Sequence, residues 1–247
     1  MPVPDWNIGD NANGGYALSP ALRAAGEVAG HPDPMTVTVH YLRPLQPDGT
    51  AAEIDTELVR AGRTTSVVRA TLAHQDRERL AMIAAFSDLS RPASDAPGRL
   101  DLPAPTIPPP EKCRDRSELE QGVTLPILSR LDVAIHPERA GHATSDEAVI
   151  DGWIRFSDGT PPSTPALPLF ADAFPPSLFA KFGRVGWVPT VELTVHVRRR
   201  PAPGWIQARL ECDDLADGRM IETGTLWDSS GAVVARSRQI GLLLVDD

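Results

Sequence analysis

The sequence predicts an α+β fold built from two tandem copies of one unit, a helix lying on a four-stranded antiparallel sheet. Three observations predict it. The stretch "TVHYLRP", Thr38 to Pro44, returns as "TVHVRRRP", Thr194 to Pro201. The return keeps a nearly constant offset: His40 and His196 lie 156 positions apart, as do Gly62 and Gly218, while Thr71-Leu72 and Ala81 recur 154 positions later as Thr225-Leu226 and Ala235. Each copy also carries four strand-like runs behind an apolar stretch of helical character. Alternation alone makes any two strands look alike, but it does not hold one offset across a whole half.

The first helix is expected over Gly14 to Ala29, where Ala17, Leu18, Ala21, Leu22, Ala25 and Val28 share helical spacing. Pro20 interrupts this helix or sits in its first turns. Four strands follow in "MTVTVHYLRPL", "AAEIDTELVRAG", "TTSVVRATLAHQ" and "RLAMIAAFSDL", parted by turn residues at Pro47-Asp48-Gly49, Gly62 and Asp76-Arg77-Glu78. The run "SRPASDAPGRLDLPAPTIPPPEK" is rich in Pro and without period, an extended linker. Strands are next expected in "LSRLDVAIHPE" and "EAVIDGWIRFSD". The stretch "PALPLFADAFPPSLFAKFG" is helical but must break or restart at Pro175 and Pro176. Four closing strands lie in "WVPTVELTVHVRRR", "GWIQARLECDDLA", "RMIETGTLWDS" and "AVVARSRQIGLLLV". The expected limits are 1–90 for the first unit, 91–115 for the linker and 116–247 for the second unit.

With 247 residues, 41% hydrophobic and 23% charged, the chain can bury a sizeable core. A formal net charge of -9, with basic residues scattered apart from Arg198 to Arg200, argues against a nucleic-acid or anionic-membrane surface. Cys113 and Cys212 form neither a metal pattern nor a disulfide framework, which points to a reducing compartment. The start "MPVPDWNIGDNANGG" has no apolar leader segment, and no run approaches a membrane span, so a cytoplasmic protein is expected.

A buried helix wrapped by a curved sheet is the hotdog arrangement, and two in tandem make a double hotdog. The chain also resembles acyl-CoA thioesterases of the thioesterase II type. The resemblance runs through "NGGYALSPAL", "YLRP" and "ELVRAGRTTSVVRATLAHQDRERLAMIAAF", then "ADAF", "PTVELTVHV" and "VARSRQIG". It implies hydrolysis of acyl-CoA by a water that an Asp, a Ser or Thr, and a Gln hold together. The matching positions are Asp172, Thr190 and Gln239. A thioester carbonyl is already electrophilic, so an oriented water suffices: Asp172 takes its proton while Thr190 and Gln239 fix its approach. Gly14, Gly15 and Tyr16, at the start of the first helix, are expected to bind the substrate. Backbone N–H groups at a helix start are unsatisfied donors that can receive an oxyanion, and Gly allows close approach.

Each residue also has an ordinary reading. Thr190 or Gln239 alone is a plain strand residue, and Asp172 could cap a helix. Yet Asp172 is flanked by Leu169, Phe170, Ala173 and Phe174, where a carboxylate is costly unless paired or functional. Subtracting the offsets places Tyr16, Pro34 and Ala85 at the corresponding points of the first copy, so acid–base chemistry is expected in the second copy alone. His40 and His196 occupy equivalent strands, which favours a shared structural role. A hydratase run Gly-Asp-x-Asn-Pro is not matched by "GDNANGG", no Gly-x-Ser-x-Gly elbow appears, and no metal-ligand spacing or cofactor motif stands out. The rival reading is a non-catalytic double hotdog that binds acyl-CoA or another hydrophobic ligand. Open strand edges predict a homodimer or a higher even-numbered homo-oligomer.

Overall fold

A computed structural model describes residues 1–91, 100–119, 122–140 and 145–245. A short hairpin, β1 (Asn7–Ile8) and β2 (Asn11–Ala12), precedes the first helix, α1 (Gly14–Ala29). The Asn13 side chain caps α1 by accepting the Tyr16 N–H at 3.0 Å, and Gly30 ends it in the left-handed region at φ 71. Pro20 lies inside the helix without ending it. Near the hydrogen bond that this proline cannot make, the Ser19 hydroxyl donates to the Gly15 carbonyl at 2.8 Å. The buried stripe is Gly15, Ala17, Leu18, Ala21, Leu22, Ala25 and Ala29. Val28, expected on that stripe, is 41% exposed, and Ala29 takes its place.

The first four long strands are β3 (Asp33–Tyr41), β4 (Glu53–Arg60), β5 (Ser66–His74) and β6 (Arg77–Ser87). Further along come β7 (Arg114–Asp115), β8 (Leu131–Ile135) and β9 (Val149–Phe156), then α2 (Leu167–Asp172) and α3 (Leu178–Phe182). Pro175 and Pro176 part the two short helices, so the second copy replaces one long helix by two pieces. Four closing strands complete the chain: β10 (Thr190–Val197), β11 (Ile206–Ala216), β12 (Arg219–Trp227) and β13 (Val233–Leu242).

All but the hairpin join one 11-stranded sheet of order β4-β5-β6-β3-β10-β13-β12-β11-β9-β8-β7. The first copy reads 4-5-6-3 and the second 10-13-12-11, mirrored about the antiparallel β3–β10 pair. Thr38 and Thr194 face each other at the centre of that pair. Val37, Val39, Val195 and Val197 point inward from it and are wholly or nearly wholly buried, in one core with Leu18 and Leu22 of α1 and Phe170 of α2. Each such side chain contributes roughly 1.5–3 kcal/mol relative to exposure. His40 and His196, both exposed, sit opposite Glu192 and Thr36 at matching steps from the centre. Double hotdog architecture therefore holds, with both halves sharing one sheet and one core.

The register also fixes which residues correspond. β3 and β10 break register at the same step, between Pro34 and Thr36 and between Thr190 and Glu192. Thr190 accordingly corresponds to Pro34. Gln239 pairs with Leu193 as Ala84 pairs with Val37, so its counterpart is Ala84 rather than the expected Ala85. The hairpins of the two copies differ in length, and the offset is 156 between β3 and β10, 155 between β6 and β13, and 154 between β5 and β12 and between β4 and β11.

Of the connection expected over 91–115, residues 92–99 lie outside the described residues. From Leu100 the chain crosses the second copy without regular structure as far as Pro109, and its carbonyls meet donors there. Trp227 Nε1 donates to Leu102 O at 2.8 Å, Gln207 Nε2 to Pro105 O at 2.6 Å, and Trp153 Nε1 to Pro108 O at 2.8 Å. Among the described residues no helix is long and apolar enough to cross a membrane.

Candidate active site

The two copies meet around a cavity of about 830 Å³, a volume suited to a small-molecule ligand. Its apolar wall includes Leu42, Leu45, Leu80, Phe174, Val188 and Met220, drawn from both halves. Asp172, Thr190 and Gln239 all line it, brought together from α2, β10 and β13.

Asp172 is the last residue of α2, and it reaches across to the start of α1. Its Oδ2 accepts the Gly15 N–H at 2.8 Å and the Asn13 Nδ2 at 2.8 Å, while Asn13 Nδ2 also meets the Asp172 carbonyl at 3.0 Å. One asparagine thus caps α1 with its oxygen and clamps the carboxylate with its nitrogen. The positive end of α1 favours the anion, and both donors pull its pKa down. Burial outweighs them and raises it to about 6, with the Glu222 charge adding to the rise and Arg116 opposing it.

Thr190 opens β10 at the bulge, where a register break can turn a side chain toward a site. Its Oγ1 donates to Gln239 Oε1 at 2.9 Å. Gln239 Nε2 in turn donates to Glu222 Oε1 at 2.6 Å, across the Glu222–Gln239 pair of β12 and β13. The other Glu222 oxygen accepts the Ser177 N–H at 2.8 Å and the Ser177 hydroxyl. Glu222 is 2% exposed, and burial raises its pKa.

The expected substrate-binding residues fare differently. Gly14 lines the cavity, and a Cβ on it would fall 2.9 Å from the Tyr41 ring and 3.0 Å from Asp172 Oδ2. Gly15 gives its N–H to Asp172, so that donor is engaged rather than open to an oxyanion. A Cβ on Gly15 would lie 2.6 Å from the Leu169 Cα, which explains the glycine as a helix–helix contact. Tyr16 turns away from this cavity: its ring stacks on Trp6 at 5.2 Å, and its hydroxyl accepts the Val3 N–H at 3.1 Å.

Four residues of the site escaped the sequence reading. Glu222 left a signal, because it shares an inward face with Met220, Gly224 and Leu226, where alternation calls for apolar side chains. Asn13, Tyr41 and Arg116 left none. The Tyr41 hydroxyl is buried without a partner among the described residues, and burial raises its pKa, helped by Asp172 and Glu192. Arg116 is buried, donates through Nη1 to Ala173 O, and leaves Nε unpartnered among the described residues. Burial lowers its pKa to about 10 against the attraction of Asp172. Among the described residues no group of His, Cys, Asp and Glu could hold a metal ion.

At the equivalent end of the first copy the polar set is replaced. Pro34, Ala84 and Val68 stand where the second copy has Thr190, Gln239 and Glu222. Next to Pro34, Asp33 accepts from Thr164 Oγ1 at 2.9 Å and pairs with Arg200 Nη2 at 2.9 Å.

The family model of the acyl-CoA thioesterase C-terminal domain matches residues 110–243, and that of the acyl-CoA thioesterase N-terminal domain matches residues 2–87. Among solved structures, a protein provisionally assigned as a thioesterase II from Thermobifida fusca YX is 31% identical with a TM-score of 0.85, over 98% of this chain and 90% of its own. A hot dog fold protein of unknown function from Alicyclobacillus acidocaldarius shares the fold at 20% identity and TM-score 0.83, over 99% and 92% of the two chains. An uncharacterised protein of Mycobacterium tuberculosis H37Rv is 26% identical, over 96% of this chain and 88% of its own.

Proposed function

The chain belongs to the acyl-CoA thioesterase family, and from that premise we propose that it hydrolyses acyl-CoA with a water held by Asp172, Thr190 and Gln239. The observation that carries this reading is the meeting of a carboxylate of raised pKa with the bonded Thr190–Gln239 pair at one cavity. Asp172 Oδ2 is held by Gly15 and Asn13, so Oδ1 is the oxygen that takes the proton. Thr190 commits its hydroxyl hydrogen to Gln239 and keeps a lone pair for the second hydrogen of the water. The remaining Nε2 hydrogen of Gln239 meets the water oxygen. Attack on the thioester carbon moves one proton to Asp172 and forms a tetrahedral intermediate. Its collapse breaks the C–S bond, and the leaving thiolate takes that proton, giving free acid and CoA.

Gly14, at the cavity wall beside Asp172, is the part of the helix start that fits a substrate contact in this reading. Two free cysteines suit a reducing compartment, and a cytoplasmic setting is part of the same proposal. So is self-association in even numbers: β4 forms an open sheet edge that exposes Ile54, Leu58 and Val59.

The test is thiol release from acyl-CoA thioesters of graded chain length, with Asp172→Asn alongside. Release by the parent and its loss in the variant support the reading. Tight acyl-CoA binding without release would replace it by a non-catalytic carrier role.

A further inference from the structure

We propose that Glu222 is a positioning residue, which sets the amide of Gln239 so that Thr190 and Gln239 hold the water in a single orientation. The inference rests on the hydrolysis reading of this site. Its basis is the difference between acceptors and donors. An amide offers an oxygen at one end and an NH₂ at the other, and by shape alone either end could face either neighbour. A carboxylate only accepts. With Glu222 Oε1 at 2.6 Å, the end of Gln239 facing it must be the NH₂. The amide oxygen then faces Thr190, and the hydroxyl at 2.9 Å must be the donor.

One carboxylate thereby fixes the direction of every hydrogen bond in the chain Ser177–Glu222–Gln239–Thr190. Remove its acceptor-only character and the amide can turn over. Gln239 would then present a lone pair where the water needs a donor, and Thr190 would present a hydrogen where it needs an acceptor. The anchoring is firm because Glu222 is itself held from the far side by the N–H and hydroxyl of Ser177, just before α3. Burying two carboxyl groups beside one cavity costs desolvation and brings them against each other, so a hydrophobic residue at 222 would serve stability better. The first copy carries Val68 at that position.

Glu222→Gln tests this, since it keeps the shape and loses the acceptor-only character. The expected result is a kcat lowered about ten- to a hundredfold, the scale of a misplaced reactant, with KM little changed. Loss of the Glu222 charge should also move the pH profile, whereas rescue by an acceptor-only side chain is what a merely structural role would not give. Asp172 faces Arg116, Tyr41, Asn13, the Gly15 N–H and Glu222, and removing the Glu222 charge lets its proton leave more easily. The acid limb of kcat should therefore move to lower pH. Glu222→Asp, still acceptor-only, should recover part of the loss and provides a second variant if Glu222→Gln folds poorly. Parental kcat in Glu222→Gln would overturn the proposal, whether or not the limb moves. If the parent releases no thiol, the hydrolysis reading fails separately, and the side-chain NH₂ signal of Gln239 decides. A strongly downfield proton lost in both Glu222 variants, or absent from the parent, overturns the fixed orientation. One lost in Glu222→Gln and kept in Glu222→Asp supports it.

Discussion

Thr38 and Thr194 are cross-strand partners whose hydroxyl oxygens lie 2.9 Å apart, and they are the same residue of the two copies. A residue bonded to its own counterpart marks a two-fold axis, so the axis of the duplication passes between them. β3 and β10 are therefore interior strands only because they have each other. A chain ended at residue 91 would expose the whole β3 edge and strip the inward valines of their neighbours. Expressed alone, this half should be insoluble or unfolded, and should become soluble when co-expressed with residues 100–247. A soluble, cooperatively melting first half would contradict the shared core.

The first site prediction concerns rate. Asp172→Asn should lose roughly two to four powers of ten in kcat, the scale of general acid–base catalysis. Thr190→Ala and Gln239→Ala should each lose less, and the double variant less than the two losses combined, because in the proposed mechanism both side chains hold one molecule. Losses that multiply independently would separate the two roles.

The second concerns pH. The Asp172 pKa is raised to about 6 by burial, so the carboxylate that the proposed mechanism needs as base is lost as pH falls through that value. The rate should drop about tenfold per pH unit below it, far above the range of an ordinary carboxylate. Stability should respond with the opposite sign. The folded state holds this proton more tightly than the unfolded chain, so lowering pH from neutral through 6 toward 4 adds stability from this group. Urea titrations of parent and Asp172→Asn at pH 7 and pH 5 measure that difference.

Glycine at position 15 is a packing requirement. A Cβ would sit 2.6 Å from backbone at Leu169, which cannot yield as a flexible side chain could. Gly15→Ala should cost about 1–3 kcal/mol, the range for overpacking, and should loosen the grip of α1 on Asp172. An unchanged melting temperature would mean that α2 shifts freely.

Tyr41 presents the reverse case. Its hydroxyl is buried without a partner among the described residues, which costs free energy that no contact returns. Tyr41→Phe should leave stability unchanged or raise it by about 1 kcal/mol. A marked loss in thermal melts would reveal a bonded water at that oxygen.

Much of this was legible in the sequence, for a physical reason. Strands such as β5 and β6 obey period two because one face of the sheet is buried, and α1 shows its stripe because it lies on that face. Asp172 stood out as a carboxylate among phenylalanines and leucine. What stayed hidden depends on long-range geometry. Asn13 reads as a helix cap, and nothing nearby says that its nitrogen clamps a residue 159 positions away. Arg116 lies beside a stretch read as linker. Tyr16 directly follows Gly14 and Gly15, but a helix turns its side chains through 100° per residue. Neighbours in sequence therefore face different things.

The proline and alanine that occupy the first copy's counterpart positions have a consequence for counting. In an assembly of identical single units, symmetry would oblige every unit to carry the same chemistry. Fusing two units into one chain lifts that obligation, and on the proposed mechanism Pro34, Ala84 and the Asp33–Arg200 pair stand in the half released from it. Stoichiometry follows: titration with a tight, thioester-shaped inhibitor should saturate at one molecule per chain, although the sheet contains two copies of the unit.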